Sequence, residues 1–124
     1  IKVIAQSEKW PPSKKVHNRV FTPTLYMGIA FFNLARQTNQ VKWREKGKEC
    51  LEKLLKLRTI SKWNNESSAN LLEAEFLYLN GNLKLAEEMY NASIKSAQDH
   101  ECIQEEALSL ELFGIFCIGN QMAD

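Results

Sequence analysis

Across residues 23–118 apolar side chains recur at spacings of three and four, and short polar clusters break that rhythm. Such spacing gathers apolar groups on one face of an α-helix, whereas a half-buried strand would alternate every second residue. The pattern predicts five helices, over about 23–38, 41–57, 67–79, 83–97 and 103–118. Thr22-Pro23 reads as an N-cap followed by proline at the first helical position. In the first helix Leu25, Gly28, Ile29, Phe32 and Ala35 form one apolar stripe, and Tyr26, Ala30, Phe31 and Leu34 form a second. A helix apolar on two sides is expected to be packed on both. The second helix carries Trp43, Gly47, Cys50, Leu51 and Leu54 on its apolar side. A polar break is expected over 58–66, with Asn65 or Ser67 capping the third helix. That helix stops at Asn80-Gly81-Asn82, where glycine suits a left-handed cap. Leu83, Ala86, Tyr90, Ser93, Ile94 and Ala97 stripe the fourth helix, residues 98–101 turn the chain, and the fifth is nearly all apolar after Glu106 until Gly119-Asn120.

The third and fifth helices repeat one another at a spacing of forty residues. Glu66 maps to Glu106, Leu72 to Leu112, Ala74 to Gly114, Phe76 to Phe116 and Tyr78 to Ile118. A small residue in mid-helix, at Ala74 and Gly114, lets a neighbouring helix approach closely. Short connections between the helices make consecutive ones antiparallel neighbours. The expected architecture is therefore all-α, with antiparallel helix pairs stacked as a right-handed solenoid. The helices apolar on both sides form its inner layer. The fifth helix has no partner helix after it, so that end of the stack is expected to be bare or covered by something outside this sequence.

Residues 1–7 read as the last turns of a preceding helix, and Trp10-Pro11-Pro12-Ser13-Lys14-Lys15 as a loop, because prolines remove backbone donors. The chain thus divides into a lead-in over 1–20 and a helical-repeat domain over 21–124. It opens on Ile1 and ends on Asp124 just after an apolar helix, which reads as a piece of a longer protein.

Composition narrows the function without naming it. The 124 residues suffice for one domain, and 44% hydrophobic with 25% charged residues is the mix of an ordinary globular protein. Sixteen basic side chains nearly cancel fifteen acidic ones, leaving +1. That balance gives no global attraction to nucleic acid or an acidic membrane. No apolar run reaches the ~18–20 residues of a membrane span. Cys50, Cys102 and Cys117 are an odd number at wide spacing, which argues against a disulfide framework and for a reducing, cytoplasmic setting.

The run from Leu71-Leu72-Glu73-Ala74-Glu75 through Gly81, Ala86, Tyr90 and Ser93-Ile94 resembles the helix-turn-helix unit of tetratricopeptide repeats. Ala74, Leu77, Gly81, Ala86 and Tyr90 match that family's spacings, while Gln98 stands where it usually ends a repeat with proline, and Asn70 stands where an early aromatic is usual. A second resemblance covers about residues 20–120. Leu72-Glu73-Ala74-Glu75, Ala92-Ser93-Ile94 and Ile103-Gln104-Glu105-Glu106-Ala107-Leu108, with a tryptophan near Trp63, look like the helical-repeat region of large signalling proteins that join a predicted ATPase to sensor and kinase modules. The resemblance implies a segment between nucleotide-binding and sensory parts, with any catalysis in neighbouring domains. The likeness to tetratricopeptide arrays implies that inner-layer residues Asn70, Glu73, Leu77, Leu110 and Glu111 line a partner-binding groove.

Read residue by residue, the chain offers no active site. Asp99-His100-Glu101-Cys102 gathers metal-ligand types but lacks the second pair a zinc site requires, so it reads as a solvated turn with a half-buried cysteine. Cys117 and Cys50 fall on apolar faces and read as core, with no base and orienting group for nucleophilic catalysis. Glu87-Glu88 and Glu105-Glu106 are adjacent on helices, so their members point about 100° apart, and the second pair suits a helix N-terminus. Glu73, Glu75 and Glu111 interrupt apolar helices, either to pair with cations of an adjacent helix or to line the concave surface. The basic stretch around Lys9-Trp10 and Lys14-Lys15 mixes cations with an aromatic but is short, and reads as a solvated loop. The expectation is a non-catalytic scaffold without cofactor or metal, binding a protein or another domain of its own chain and no nucleic acid. The alternative is a regulatory segment of an ATP-dependent sensor histidine or serine/threonine kinase, and an RNA-binding repeat is disfavoured by the balanced charge.

Overall fold

A computed structural model describes residues 12–120 and holds five α-helices, with no strand among the described residues. They are α1 (Pro12–Thr38), α2 (Val41–Ile60), α3 (Lys62–Leu79), α4 (Leu83–Asp99) and α5 (Ile103–Gly119). Each packs on the next, and α3 lies at the centre, against α1, α2 and α4 and touching α5. The all-helical expectation holds. Residues 1–7 and their expected helix end lie outside the described residues.

Two boundaries differ from the reading of the sequence. α1 begins at Pro12, so the expected loop over 12–20 is helical and Pro23 lies inside the helix. Pro12 fits an N-terminal helical position, where no amide hydrogen is needed. Pro23 gives up one backbone bond and its ring crowds the preceding turn, and the helix nonetheless continues through it. The expected polar break over 58–66 shrinks to Ser61 between α2 and α3. Its polar side chains are used inside the junction. Asn65 Nδ2 donates to the carbonyls of Leu57 (3.0 Å) and Ser61 (2.8 Å), tying the start of α3 back to the end of α2. Ser67 and Ser68 are buried where α3 meets its neighbours.

Helix ends follow the backbone chemistry. Gly81 takes φ +85°, and Asn82 N–H reaches back to the Leu77 carbonyl at 2.9 Å, closing α3 as the Asn-Gly-Asn run predicts. α4 ends the same way through Glu101, at φ +57°, with Cys102 N–H bonded to the Ala97 carbonyl at 2.8 Å. A β-carbon in that conformation costs about 1 kcal/mol.

The core joins α1, α2, α3 and α4 through Leu25, Phe32, Leu51, Leu54, Leu71, Leu72, Ala74, Ala86 and Tyr90, and Phe116 brings in α5. Close approach occurs at two helical glycines. A Cβ on Gly28 would stand 2.5 Å from Leu72 Cδ2, and one on Gly47 would strike the Phe32 ring. Ala74 and Ala86 are fully buried. Gly114 is different: a Cβ there meets nothing within 4 Å. The expectation that Ala74 and Gly114 both seat a neighbouring helix is therefore corrected for Gly114, because no described helix lies on that side of α5. The second stripe of α1 is corrected likewise. Tyr26 and Ala30 are exposed, because α1 is an outer helix packed on one side only. Phe31 is partly covered by stacking on Trp43 at 6.0 Å.

Candidate interaction surface

Charged groups in the interior explain themselves structurally. Glu75 is 2% exposed and pairs with Arg36 of α1 at 3.1 Å, while the Tyr90 hydroxyl of α4 donates to its other oxygen. Arg36 also lies over the Tyr78 ring, 4.6 Å from its centroid. One buried carboxylate thus ties three helices together. Burial above all, then the neighbouring Glu75 charge and the hydrogen bond to it, hold the Tyr90 hydroxyl far above the ordinary tyrosine value, with Arg36 opposing. Above about pH 10 the unfolded chain releases this proton while the folded chain keeps it, so the unfolded state gains as pH rises. Denaturant titrations across alkaline pH are therefore expected to show stability held below about pH 10 and falling beyond it. Tyr90→Phe is expected to flatten that fall.

Of the five residues expected to line a groove, three are engaged within the fold. Asn70 is buried and accepts from Arg58 Nη1 at 2.6 Å, and Glu73 lies 3.8 Å from the same guanidinium. Arg58 of α2 thus brings Asn70 and Glu73 together, and Leu77 packs at the margin of the core. Leu110 and Glu111 are exposed on α5. The acids that interrupt α3 meet arginines of adjacent helices, and Glu111 faces outward.

Around Leu110 and Glu111 lies a run of exposed apolar side chains. Ile103 is 75% exposed, Leu110 50%, Ile115 54% and Ile118 80%, with exposed Ala107 and the open Gly114 between them. At 100° per residue these positions fall on one side of the helix, opposite Ser109, Leu112 and Phe116. The opposite side packs on α4. Ser109 Oγ shares a hydrogen bond with Ser93 Oγ at 2.7 Å, and Phe113 and Phe116 lie 5.6 and 5.0 Å from the Tyr90 ring.

The forty-residue repeat gives that outward face its meaning. On α3, Ser67, Asn70, Leu71, Ala74 and Glu75 are all buried. Ser67 and Glu75 lie against α4, where Ser93 Oγ donates to the Ser67 carbonyl at 2.8 Å and Tyr90 meets Glu75. Their counterparts on α5 are Ala107, Leu110, Glu111, Gly114 and Ile115, the outward set. The same helical face is covered in one copy and open in the other. Exposure of Leu110, Ile115 and Ile118 was not readable from apolar periodicity alone, which marks a face as greasy without saying whether anything covers it. Because nothing crowds Gly114, Gly114→Ala is expected to raise stability by about 0.5–1 kcal/mol through helix propensity, read as a higher melting temperature.

The remaining candidates resolve as structure. The His100 ring of the 98–101 turn stacks on Trp63 at 4.1 Å, and Cys102 is buried. Among the described residues no group of three or more His, Cys, Asp or Glu side chains converges to hold a metal ion. Burial pushes the Cys50 thiol up, opposed by Lys53 and assisted by Glu49, so it is held as a thiol near neutral pH. No helix among the described residues is long and apolar enough to cross a membrane. No protein-family model matches this chain, and no curated protein or solved structure matches it.

Proposed function

We propose that this chain is a non-catalytic helical-repeat scaffold, a tetratricopeptide-like stack of antiparallel helix pairs that holds a protein segment on the outward face of α5. One observation carries the reading: positions that α3 buries have counterparts forty residues later on a face of α5 that no described residue covers. A face of that kind is a seat for a helix. It is already shaped by its packing on α4, so little ordering is spent on the receptor side when a partner arrives. Its exposed apolar side chains, with Glu111 among them, form the kind of patch on which protein partners settle. The regulatory-segment reading rests on the sequence resemblance alone.

Panning a display library of helical peptides against the 124-residue chain tests the proposal. Binders are expected to lose at least about tenfold in affinity on Leu110→Asp or Ile115→Asp and to ignore Trp63→Ala. Binders that follow Trp63 instead, or a library that yields none, would count against it.

A further inference from the structure

The near-neutral total conceals a segregation of charge along the fold. α1 and α2 together carry eleven lysines and arginines against three acids, whereas α3, α4 and α5 carry three against nine. Arg36 and Arg58 are engaged by Glu75 and Glu73 of α3. Of the cations left over, Lys42, Lys46, Lys53 and Lys56 of α2 are all exposed. At 100° per residue these four fall within an arc of about 80° along about 21 Å of helix. That side is opposite buried Gly47, Leu51 and Leu54. Among the described residues none of the four enters an ion pair. Glu45, Glu49 and Glu52 stand among them, but Arg44 and Lys48, partly exposed on the same helix, keep cations in excess.

We propose that the outward face of α2 binds the phosphate backbone of duplex DNA without reading its sequence. Lysine presents a flexible point charge suited to phosphate oxygens. Over about 21 Å one strand of a duplex presents about six phosphates, so a stripe of four lysines matches it in length. What the stripe lacks excludes other polyanions. Among the described residues, α2 exposes no large apolar or aromatic side chain between Val41 and Ile60. Settling into an anionic bilayer requires apolar groups to insert, and a protein partner requires a desolvated apolar centre. A single strand requires exposed rings on which its bases stack. Duplex RNA is held partly through its 2′-hydroxyls, to which this stripe offers only lysine and glutamate. A DNA backbone asks for cations alone. The acid excess of α3, α4 and α5 repels phosphate and confines the contact to the basic side. The proposal does not depend on the α5 face.

Fluorescence anisotropy with a labelled DNA duplex of about 20 base pairs tests it, using the 124-residue chain. Binding is expected at about 50 mM salt, equal for two unrelated sequences, and about tenfold weaker when the salt is doubled, as four neutralised phosphates require. Lys46→Gln/Lys53→Gln should lose at least about tenfold and show about half the salt dependence, while Lys46→Arg/Lys53→Arg retains both. Lys84→Gln/Lys95→Gln, which removes two exposed lysines of α4, should change nothing. All these positions are exposed, and circular dichroism confirms that each variant folds. Leu110→Asp should leave DNA binding intact, which separates this surface from the α5 face. No binding at about 50 mM salt overturns the proposal, as does an equal loss in the Lys84/Lys95 variant. Tighter binding to the single strand, to duplex RNA, to phosphatidylserine vesicles or to polyglutamate overturns it as well. In each of those cases peptide binding that follows Leu110 and Ile115 would leave the scaffold reading standing.

Discussion

Replacing Glu75 by alanine is expected to destabilise the fold by about 3 kcal/mol, read from the shift in a urea or guanidinium unfolding midpoint. The carboxylate is almost fully buried and accepts from Arg36 and from Tyr90. Removing it leaves the tyrosine hydroxyl in the core without its partner and a guanidinium whose Nη1 atom is already buried without a hydrogen bond. The loss comes mainly from those stranded groups rather than from the attraction itself. Removing all the polar atoms together should therefore cost less than removing one. The triple variant Arg36→Met, Glu75→Leu, Tyr90→Phe is expected to recover at least half of what Glu75→Ala loses. A triple variant as unstable as the sum of its parts would show that the pair is strongly favourable in its own right.

Gly47→Ala is expected to cost about 2 kcal/mol, against the gain that alanine brings in an open helix. The added methyl would strike the Phe32 ring, which is fully buried and has no free direction in which to turn. Phe32 also packs on Phe76 at 5.4 Å, so displacing it disturbs α3 as well as α1 and α2. Phe32→Leu in the Gly47→Ala background is expected to restore part of the loss by making room. The opposite sign expected at Gly114 makes the pair a test of packing, since both glycines sit inside helices and differ only in what faces them.

Much of the fold was legible in the spacing of apolar residues. The stripe from Leu25 to Ala35, the stripe around Gly47, Cys50 and Leu54, and the end of α3 at Gly81 follow from helical periodicity and turn chemistry. What escaped depends on who sits beside whom. Asn65 and Ser67 look like loop residues until the Leu57, Ser61 and Ser93 groups they meet are known. Pro12 reads as part of a loop and Pro23 as the first residue of a helix, whereas both stand within α1. Asn70 and Glu73 resemble groove residues and are taken by Arg58, a pairing twelve or more residues distant that no local pattern announces. Leu110 and Glu111 stood out as inner-layer positions of a tetratricopeptide-like array, yet only the packing shows that the matching positions of α3 are covered and those of α5 are exposed.

Carbene footprinting of the chain, read by mass spectrometry, tests the central claim most directly. Ala107, Leu110 and Ile115 are expected to take severalfold more label than their counterparts Ser67, Asn70 and Glu75 on α3. Equal protection of the two sets, or heavier labelling on α3 than on α5, would contradict the account.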